Sequence, residues 1–282
     1  MNKKKIGVTG AGGFLGRRLC EVLESKKYEV VKYNSDNLDI REKCKISEGI
    51  DVLFHLAALN KPYFSKLEPL ETFKVNALGT LNVLEAAKAA RVKKIIFTSS
   101  ILVYKDLTKT KETDPASYNS IYPYGLEKLV AEEYIKIYSE LFGIGYSILR
   151  ISGVYGPGMY KNPIFDLTQG LLTGRAKLYV SKNSAYDFVY IDDVISALVM
   201  AMDWENGTYN VCSGKSSKLI NVYNFLEKSL KKRASIEDDD FLINILGNNR
   251  KIKSKGWKQN YDLKKGILKI YNYFKKNGSK QQ

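Results

Sequence analysis

The sequence predicts an α/β protein, a parallel sheet wound on both faces by helices, with a smaller lobe at its C-terminal end. Three observations carry this. Short apolar runs alternate with amphipathic helical segments from Lys5 to Leu149, a glycine-rich turn joins the first run to the first helix, and beyond Ile151 the alternation becomes irregular. Strands that alternate with helices bury both sheet faces and must run parallel, because each crossover returns the chain to the same edge.

The first strand is Lys5–Thr9, and Phe14, Leu15, Leu19, Val22 and Leu23 follow at helical spacing. Glu29–Tyr33 and Asp51–Leu56 are the next two strands. Leu70–Ala90 reads as one long helix carrying Phe73, Val75, Leu78, Leu81, Leu84 and Ala87 on its apolar face. Lys94–Phe97 is the fourth strand, Tyr124–Phe142 an amphipathic helix, and Tyr146–Leu149 the next strand. Right-handed crossovers place the glycine turn at the carboxyl edge of the sheet. After the turn-rich stretch Ser152–Gly158, short strands near Lys177–Val180 and Asp187–Ile191 precede helices near Asp193–Met202 and Asn221–Lys231. The acidic cluster Glu237–Asp240 reads as an exposed loop. The expected division is residues 1–150 for the sheet domain and 151–282 for a lobe assembled from discontinuous pieces.

Composition bounds the function. With 282 residues, 44% hydrophobic and 27% charged, the chain is a folded globular protein. It has no apolar stretch of about eighteen residues, so no membrane helix is expected. Its start, Met1 to Gly10, lacks the apolar core of a secretory signal. Cys20, Cys44 and Cys212 are far apart and form no CxxC, which implies a reducing, cytoplasmic setting without disulfides or a zinc site. The single histidine, His55, lies in an apolar run and reads as the end of a buried strand. A Ser-His-Asp hydrolase or a multi-histidine metal centre would have to depend on it alone. From Asn248 to Gln282 eleven Lys or Arg face one acid, so +10 of the net +15 sits in the tail. No nucleic-acid motif accompanies the charge, and a solvated lysine-rich face is the favoured reading, with neither nucleic acid nor membrane as partner.

Thr9-Gly10-Ala11-Gly12-Gly13-Phe14-Leu15-Gly16 has its glycines at positions 10, 13 and 16, wider than G-x-G-x-x-G. After a first strand and opening a first helix, such a turn brings backbone N–H groups and the helix dipole to a pyrophosphate, the mark of a Rossmann-like dinucleotide site. Together with Asp39-Ile40, His55-Leu-Ala-Ala58, Asn76, Thr98-Ser-Ser100, Tyr124-Gly-Leu-Glu-Lys128, Tyr155-Gly-Pro-Gly158, Asp187-Phe-Val-Tyr-Ile-Asp-Asp193 and Lys255-Gly-Trp257, this turn resembles the extended short-chain dehydrogenase/reductases, the NAD-dependent epimerase/dehydratase group. The resemblance runs from about Ile6 to Trp257. It implies that Gly10, Gly13, Phe14, Leu15 and Gly16 meet the pyrophosphate, that Asp39 and Ile40 flank the adenine, and that Leu56, Ala57 and Ala58 line phosphate and ribose. It further places Asn76, Ile151, Tyr124 and Lys128 around the cofactor. At the end of the second strand the family commonly holds the ribose 2′-OH with an acid, and here stands Asn34. Without that acid the barrier to a 2′-phosphate is gone, so NADP is favoured over NAD, with Lys32, Arg17 or Ser35 as candidate phosphate partners.

Tyr124 and Lys128 are one helical turn apart and share a face. A lysine ammonium and a positive nicotinamide ring would favour the phenolate, allowing Tyr124 to take a substrate hydroxyl proton as hydride leaves, or to return it. The resemblance makes Lys128 the ribose-binding lysine and Ser100, three residues before Val103-Tyr104, the third catalytic member; Ser99 reads as a small residue at a strand end, and Tyr104 and Tyr122 as packing residues. In the family's sugar 4,6-dehydratases an Asp-Glu pair follows that serine. Here Ile101 and Leu102 cannot exchange protons, which disfavours dehydration and leaves a 4-epimerase or 4-ketoreductase acting on a sugar or nucleotide-sugar. Relatives that bind nucleotide-sugars commonly carry an asparagine and an arginine where this chain has Gly153 and Tyr186. Arg175, Lys177, Lys182 or Arg250 could substitute as diphosphate contacts. Those departures keep open a reductase of a smaller carbonyl compound, and a catalytically silent cofactor-binding protein is a further alternative. The resemblance also implies a homodimer formed through the two long helices.

Overall fold

The computed structural model describes residues 4–60, 62–117, 122–160 and 162–277; the first residues of the basic start and residues 278–282 of the basic tail lie outside them. Six strands form the main sheet: β1 (Lys5–Thr9), β2 (Glu29–Tyr33), β3 (Val52–His55), β4 (Lys94–Ser100), β5 (Gly145–Ile151) and β6 (Gly207–Val211). Their order is β6-β5-β4-β3-β1-β2, and every neighbouring pair is parallel. From β1 the chain goes first to β2 on one side and then to β3 on the other. The resulting crevice at the carboxyl ends of β1 and β3 is where open α/β sheets bind ligands.

Seven helices of ten residues or more accompany the sheet among the described residues: α1 (Phe14–Ser25), α2 (Gly79–Ala89), α3 (Pro123–Phe142), α4 (Pro163–Thr173), α5 (Ile191–Met200), α6 (Leu219–Leu230) and α7 (Leu263–Asn277). Strand residues alternate between two cores. Ile6, Val8, Phe54, Ile96 and Leu149 face the side of α1 and α5, while Leu53, Ile95, Phe97 and Ile148 face Val83, Leu84 and Ala87 of α2 and Ala131 and Ile135 of α3. Burial on both faces explains why these strands are continuously apolar rather than half polar.

β6 comes from residues 207–211, well beyond the change of character near Ile151, and completes the sheet beside β5. The rest of the second half makes small sheets: Gly153–Tyr155, Ala185–Tyr190 and Ser216–Lys218 in one, and Arg175–Lys177 with Ser235–Glu237 in another. Two buried carboxylates hold these pieces. Asp187 accepts from Ser213 N–H (2.7 Å), Ser213 Oγ (2.6 Å), Gly214 N–H (2.9 Å) and Gly247 N–H (3.2 Å). Asp193 accepts from the Asn260 and Tyr261 amides at 2.8 and 3.1 Å. Burial raises both carboxyls, against the pull of these donors. Trp257, 1% exposed, donates its indole N–H to Asp193 O and Ser196 Oγ, both at 3.0 Å. Truncating it to Ala would cost about 3–5 kcal/mol.

One expectation needs correction and one needs refining. The helix expected over Leu70–Ala90 is interrupted: Pro69–Phe73 is α-helical, Lys74–Leu78 is a π-turn, and α2 begins at Gly79. Apolar periodicity continues through the interruption, so pattern alone could not reveal it, and the widened turn carries Asn76, whose side chain is drawn to Leu59 and to α3. The acidic cluster at Glu237–Asp240 is irregular and mostly exposed from Asp238 on, as expected, but begins in a strand and is ion-paired. Glu237 ends a strand and pairs with Arg175 (2.7 Å) and Lys177 (3.4 Å), and Asp238 pairs with Lys182 (3.1 Å).

Candidate active site

The glycine turn leaves β1 at Gly10, whose φ is +67°. A Cβ there would stand 2.7 Å from the Ala57 nitrogen, so only glycine lets the turn lie against the segment after β3. A Cβ on Gly16 would strike the Gly10 carbonyl. Gly13 precedes α1 without any side-chain cap, and the first turn holds no acid. Its uncapped N–H groups and the dipole end fit an anionic pyrophosphate, so this cradle suits a dinucleotide.

Asn34 reaches the same turn and accepts from Gly12 N–H at 2.5 Å. Of the candidate phosphate partners, Lys32 is paired with Glu24 at 2.6 Å, Ser35 donates to Asp36 at 3.5 Å, and Arg17 caps the Gly12 carbonyl at 2.8 Å. Asp39 is held by Arg41 at 2.6 Å, and that hydrogen bond lowers its carboxyl to about 2. Ile40 is buried, pressed where a Cβ on Gly79 would fall. Leu56 and Ala57 follow β3, and their N–H groups donate to Thr9 O and Thr9 Oγ at 3.3 Å each. Behind them His55 bridges Thr9 Oγ (2.8 Å) and Thr80 Oγ (3.0 Å). Burial, with Lys128 adding to it, lowers the imidazole to about 3, so it is neutral and forms part of the floor.

Asn76 fastens the segment after Ala58. Its Oδ1 accepts from Leu59 N–H at 2.9 Å, and its Nδ2 donates to Leu59 O at 3.3 Å and to Glu127 Oε2 at 2.7 Å. Glu127 also accepts from Thr72 Oγ at 2.6 Å and is 3% exposed. Ser65 Oγ accepts the Tyr124 N–H at 3.1 Å.

Pro123 starts α3, placing Tyr124 and Lys128 in its first two turns, where both are buried. A Cβ on Gly125 would collide with the Leu102 carbonyl. This close approach brings the head of α3 onto the turn after β4, where Ser100 Oγ accepts from Leu102 N–H at 3.2 Å. Tyr124, Lys128 and Ser100 are thereby gathered at the carboxyl end of β4, on the same edge of the sheet as the glycine turn and separated from β1 by β3. Lys128 Nζ donates to Thr98 O at 3.0 Å and lies 4.6 Å from the Phe97 ring centroid and 5.8 Å from that of Tyr124.

The electrostatics differ from the expected lowering of the tyrosine. Burial raises Tyr124, and the Glu127 charge adds to it. Burial lowers Lys128 to about 8, with Glu127 and Glu132 opposing. In the protein alone desolvation outweighs the mutual help of the pair, because neither charged form keeps its water.

Around this centre Ser99, as expected, packs: it donates to Glu132, which takes a bidentate pair from Arg150 at 2.6–3.1 Å. Tyr104 donates to Asn210 at 2.9 Å beneath the Arg150 guanidinium, and Tyr122 meets Phe241 edge-on at 6.4 Å. Ile151 ends β5 and is buried. Gly153 is tight, with an added Cβ 3.1 Å from Asp187 O and from the Phe188 ring, and Tyr186 stacks on Phe188 at 5.5 Å. Arg175, Lys177 and Lys182, candidates for a diphosphate, are instead engaged with Glu237 and Asp238.

Sequence reasoning missed Ser65, Thr9, Thr80 and Glu127. Two of these left a signal: Thr9 heads the glycine motif, and Glu127 precedes Lys128 in the tyrosine motif.

The model of the NAD dependent epimerase/dehydratase family matches residues 6–212, and the chain belongs to that family. It is 32% identical over 301 residues to a putative UDP-glucose 4-epimerase of Methanocaldococcus jannaschii, covering 96% of this chain and 99% of the relative. It is 25% identical over 302 residues to CDP-abequose synthase of Salmonella typhimurium, covering 95% of this chain and 97% of that one. In structure it superposes on UDP-glucose 4-epimerase of Thermus thermophilus in complex with NAD, with a TM-score of 0.88 at 23% identity, covering 97% and 99% of the two chains.

Proposed function

We propose that the protein is an NAD-dependent epimerase of a nucleotide-sugar, inverting a hydroxyl-bearing carbon by removing and returning a hydride. The observation that carries this is the convergence of Tyr124, Lys128 and Ser100 at the carboxyl end of β4, on the sheet edge that also carries the glycine turn and the uncapped N-terminus of α1. When bound, the nicotinamide takes up and gives back the hydride, and its positive charge opposes the burial that raises Tyr124. Tyr124 accepts the substrate hydroxyl proton as the C–H bond breaks and a ketone forms, then returns it after the other face has been presented. Ser100 donates to the same oxygen, and Lys128 holds the ribose and keeps a positive charge near the phenolate. Ile101 and Leu102, buried and without an exchangeable proton, supply no group for dehydration.

NAD rather than NADP is the proposed cofactor. In support, Lys32 is committed to Glu24, Asp36 follows Asn34 by two residues, and Asn34 is folded onto the glycine turn. A homodimer is proposed from the apolar side chains that α3 leaves exposed, Leu126, Ile137 and Leu141, with Leu70 and Phe73 nearby in the fold. Sedimentation at graded concentration tests it, and a monomer throughout would reject it.

Gly153, Tyr186 and the engaged Arg175, Lys177 and Lys182 favour a second reading, a reductase of a smaller carbonyl compound. One experiment separates the two. Purified protein is analysed for retained cofactor and then given UDP-glucose. NAD retained through purification, with conversion to UDP-galactose and no net NADH, supports the epimerase. An exchangeable NADPH preference, with consumption only of small ketones, supports the reductase. Absence of dinucleotide binding would reject both.

A further inference from the structure

The most unusual group near Tyr124 is a buried carboxylate with no part in hydride transfer. Glu127 is 3% exposed and receives Thr72 Oγ at 2.6 Å and Asn76 Nδ2 at 2.7 Å. A neutral side chain could accept from Thr72 without bringing a charge out of water, which makes a buried carboxylate here costly unless the charge itself is used. Two uses are visible. Because only an acceptor is presented to Asn76, the amide is fixed with Nδ2 toward α3 and Oδ1 toward Leu59 N–H, 2.9 Å away. The segment that follows Leu56, Ala57 and Ala58 is thereby tied to α3. The same charge lies between Tyr124 and Lys128 in sequence and acts on both.

We propose that Glu127 is a positioning residue that, through Asn76, couples the cofactor-side segment to the helix bearing Tyr124 and Lys128. The inference rests on the assignment of Tyr124 as the proton acceptor.

Among the described residues, the other titratable groups near Glu127 lie on three elements. On its own helix stand Tyr124, Lys128 and Glu132, the last paired with Arg150 of β5. On the segment before α2 stands the Lys74–Glu71 pair, 2.9 Å apart and exposed, and β3 supplies the neutral His55. The Glu127 charge opposes formation of the Tyr124 phenolate and favours the Lys128 ammonium. Its removal lets Tyr124 lose its proton more easily, so the acid limb of turnover moves to lower pH. Lys128 also loses its proton more easily, so the alkaline limb moves the same way.

The test compares holoprotein of the parent with Glu127→Gln, Glu127→Asp and Tyr124→Phe. Turnover of UDP-glucose is followed against pH, and NAD retained per chain is measured by mass spectrometry. For Glu127→Gln both limbs should move down by about one pH unit, with several-fold less NAD retained, on the scale a single nearby charge produces. Glu127→Asp, which keeps the charge, should lose turnover and leave both limbs in place. A Glu127→Gln profile with unmoved limbs and full NAD retention, alongside an inactive Tyr124→Phe, overturns the role of Glu127 alone. Should Glu127→Gln fail to fold, limbs displaced in Glu127→Asp would overturn it equally. An active Tyr124→Phe overturns the assignment of Tyr124 and this inference together.

Discussion

The glycine turn with its neighbours and the second half of the chain, the expected lobe, are built by opposite means. Around the glycine turn and at the head of α3, contacts are made by short stretches of backbone: Gly10 against Ala57, Gly16 against the Gly10 carbonyl, and Gly125 against the Leu102 carbonyl. Each needs one residue type at one place, and the requirement is visible in the sequence itself. In the lobe, pieces far apart in the chain converge on single side chains. Asp187 joins residues 213, 214 and 247, and Asp193 joins 260 and 261. Nothing local in those stretches announces the pairing. Chemistry that depends on backbone shape is thus concentrated in motifs, whereas the lobe is held by a few buried charges whose partners only the fold supplies.

This contrast can be broken at several points. The largest effect is expected at Tyr124, where Phe should lower turnover on the order of 10²–10⁴-fold without unfolding the chain. Steady-state kinetics with a matching circular dichroism spectrum checks it. In the lobe, Asp187→Ala should destabilise the protein by roughly 3 kcal/mol or more, since four donors lose their acceptor. Urea denaturation measures this, and an unchanged midpoint would mean that the lobe does not depend on that carboxylate.

At the floor of the cofactor side, His55 offers a pH test. Its folded pKa of about 3 lies below the ordinary 6.5, so the unfolded chain binds the extra proton between those values. Its contribution is intact above 6.5 and is lost as pH falls toward 3. Between about pH 7 and about pH 5 the parent should lose about 2 kcal/mol more than His55→Gln, read from denaturation midpoints. Gly10→Ala, strained by its positive φ and by Ala57, should weaken NAD binding about tenfold or more by calorimetry. The smallest change is expected for Asn34→Asp, which restores the acid for the ribose 2′-OH and should move the NAD-over-NADP preference up by about tenfold. A preference unmoved by that charge would place the ribose elsewhere.

Most of the sheet was legible in advance. The bounds of β1 and β2 coincide with the runs Lys5–Thr9 and Glu29–Tyr33. β1 lies inside the sheet and is apolar because both its faces are buried, whereas β2 at the edge keeps Glu29 and Lys32 exposed between its apolar residues. The glycine turn, the Tyr124–Lys128 helix and the family they indicate could be read from the chain as well, since each is a constraint among residues a turn or two apart. Tertiary structure alone decided the rest. It drew β6 from residues 207–211 into the sheet, opened the π-turn that carries Asn76, and engaged Arg175, Lys177 and Lys182 with Glu237 and Asp238. It also raised Tyr124 where spacing to Lys128 suggested the reverse, because burial acts on every charge in a site and a sequence shows only which charges are present.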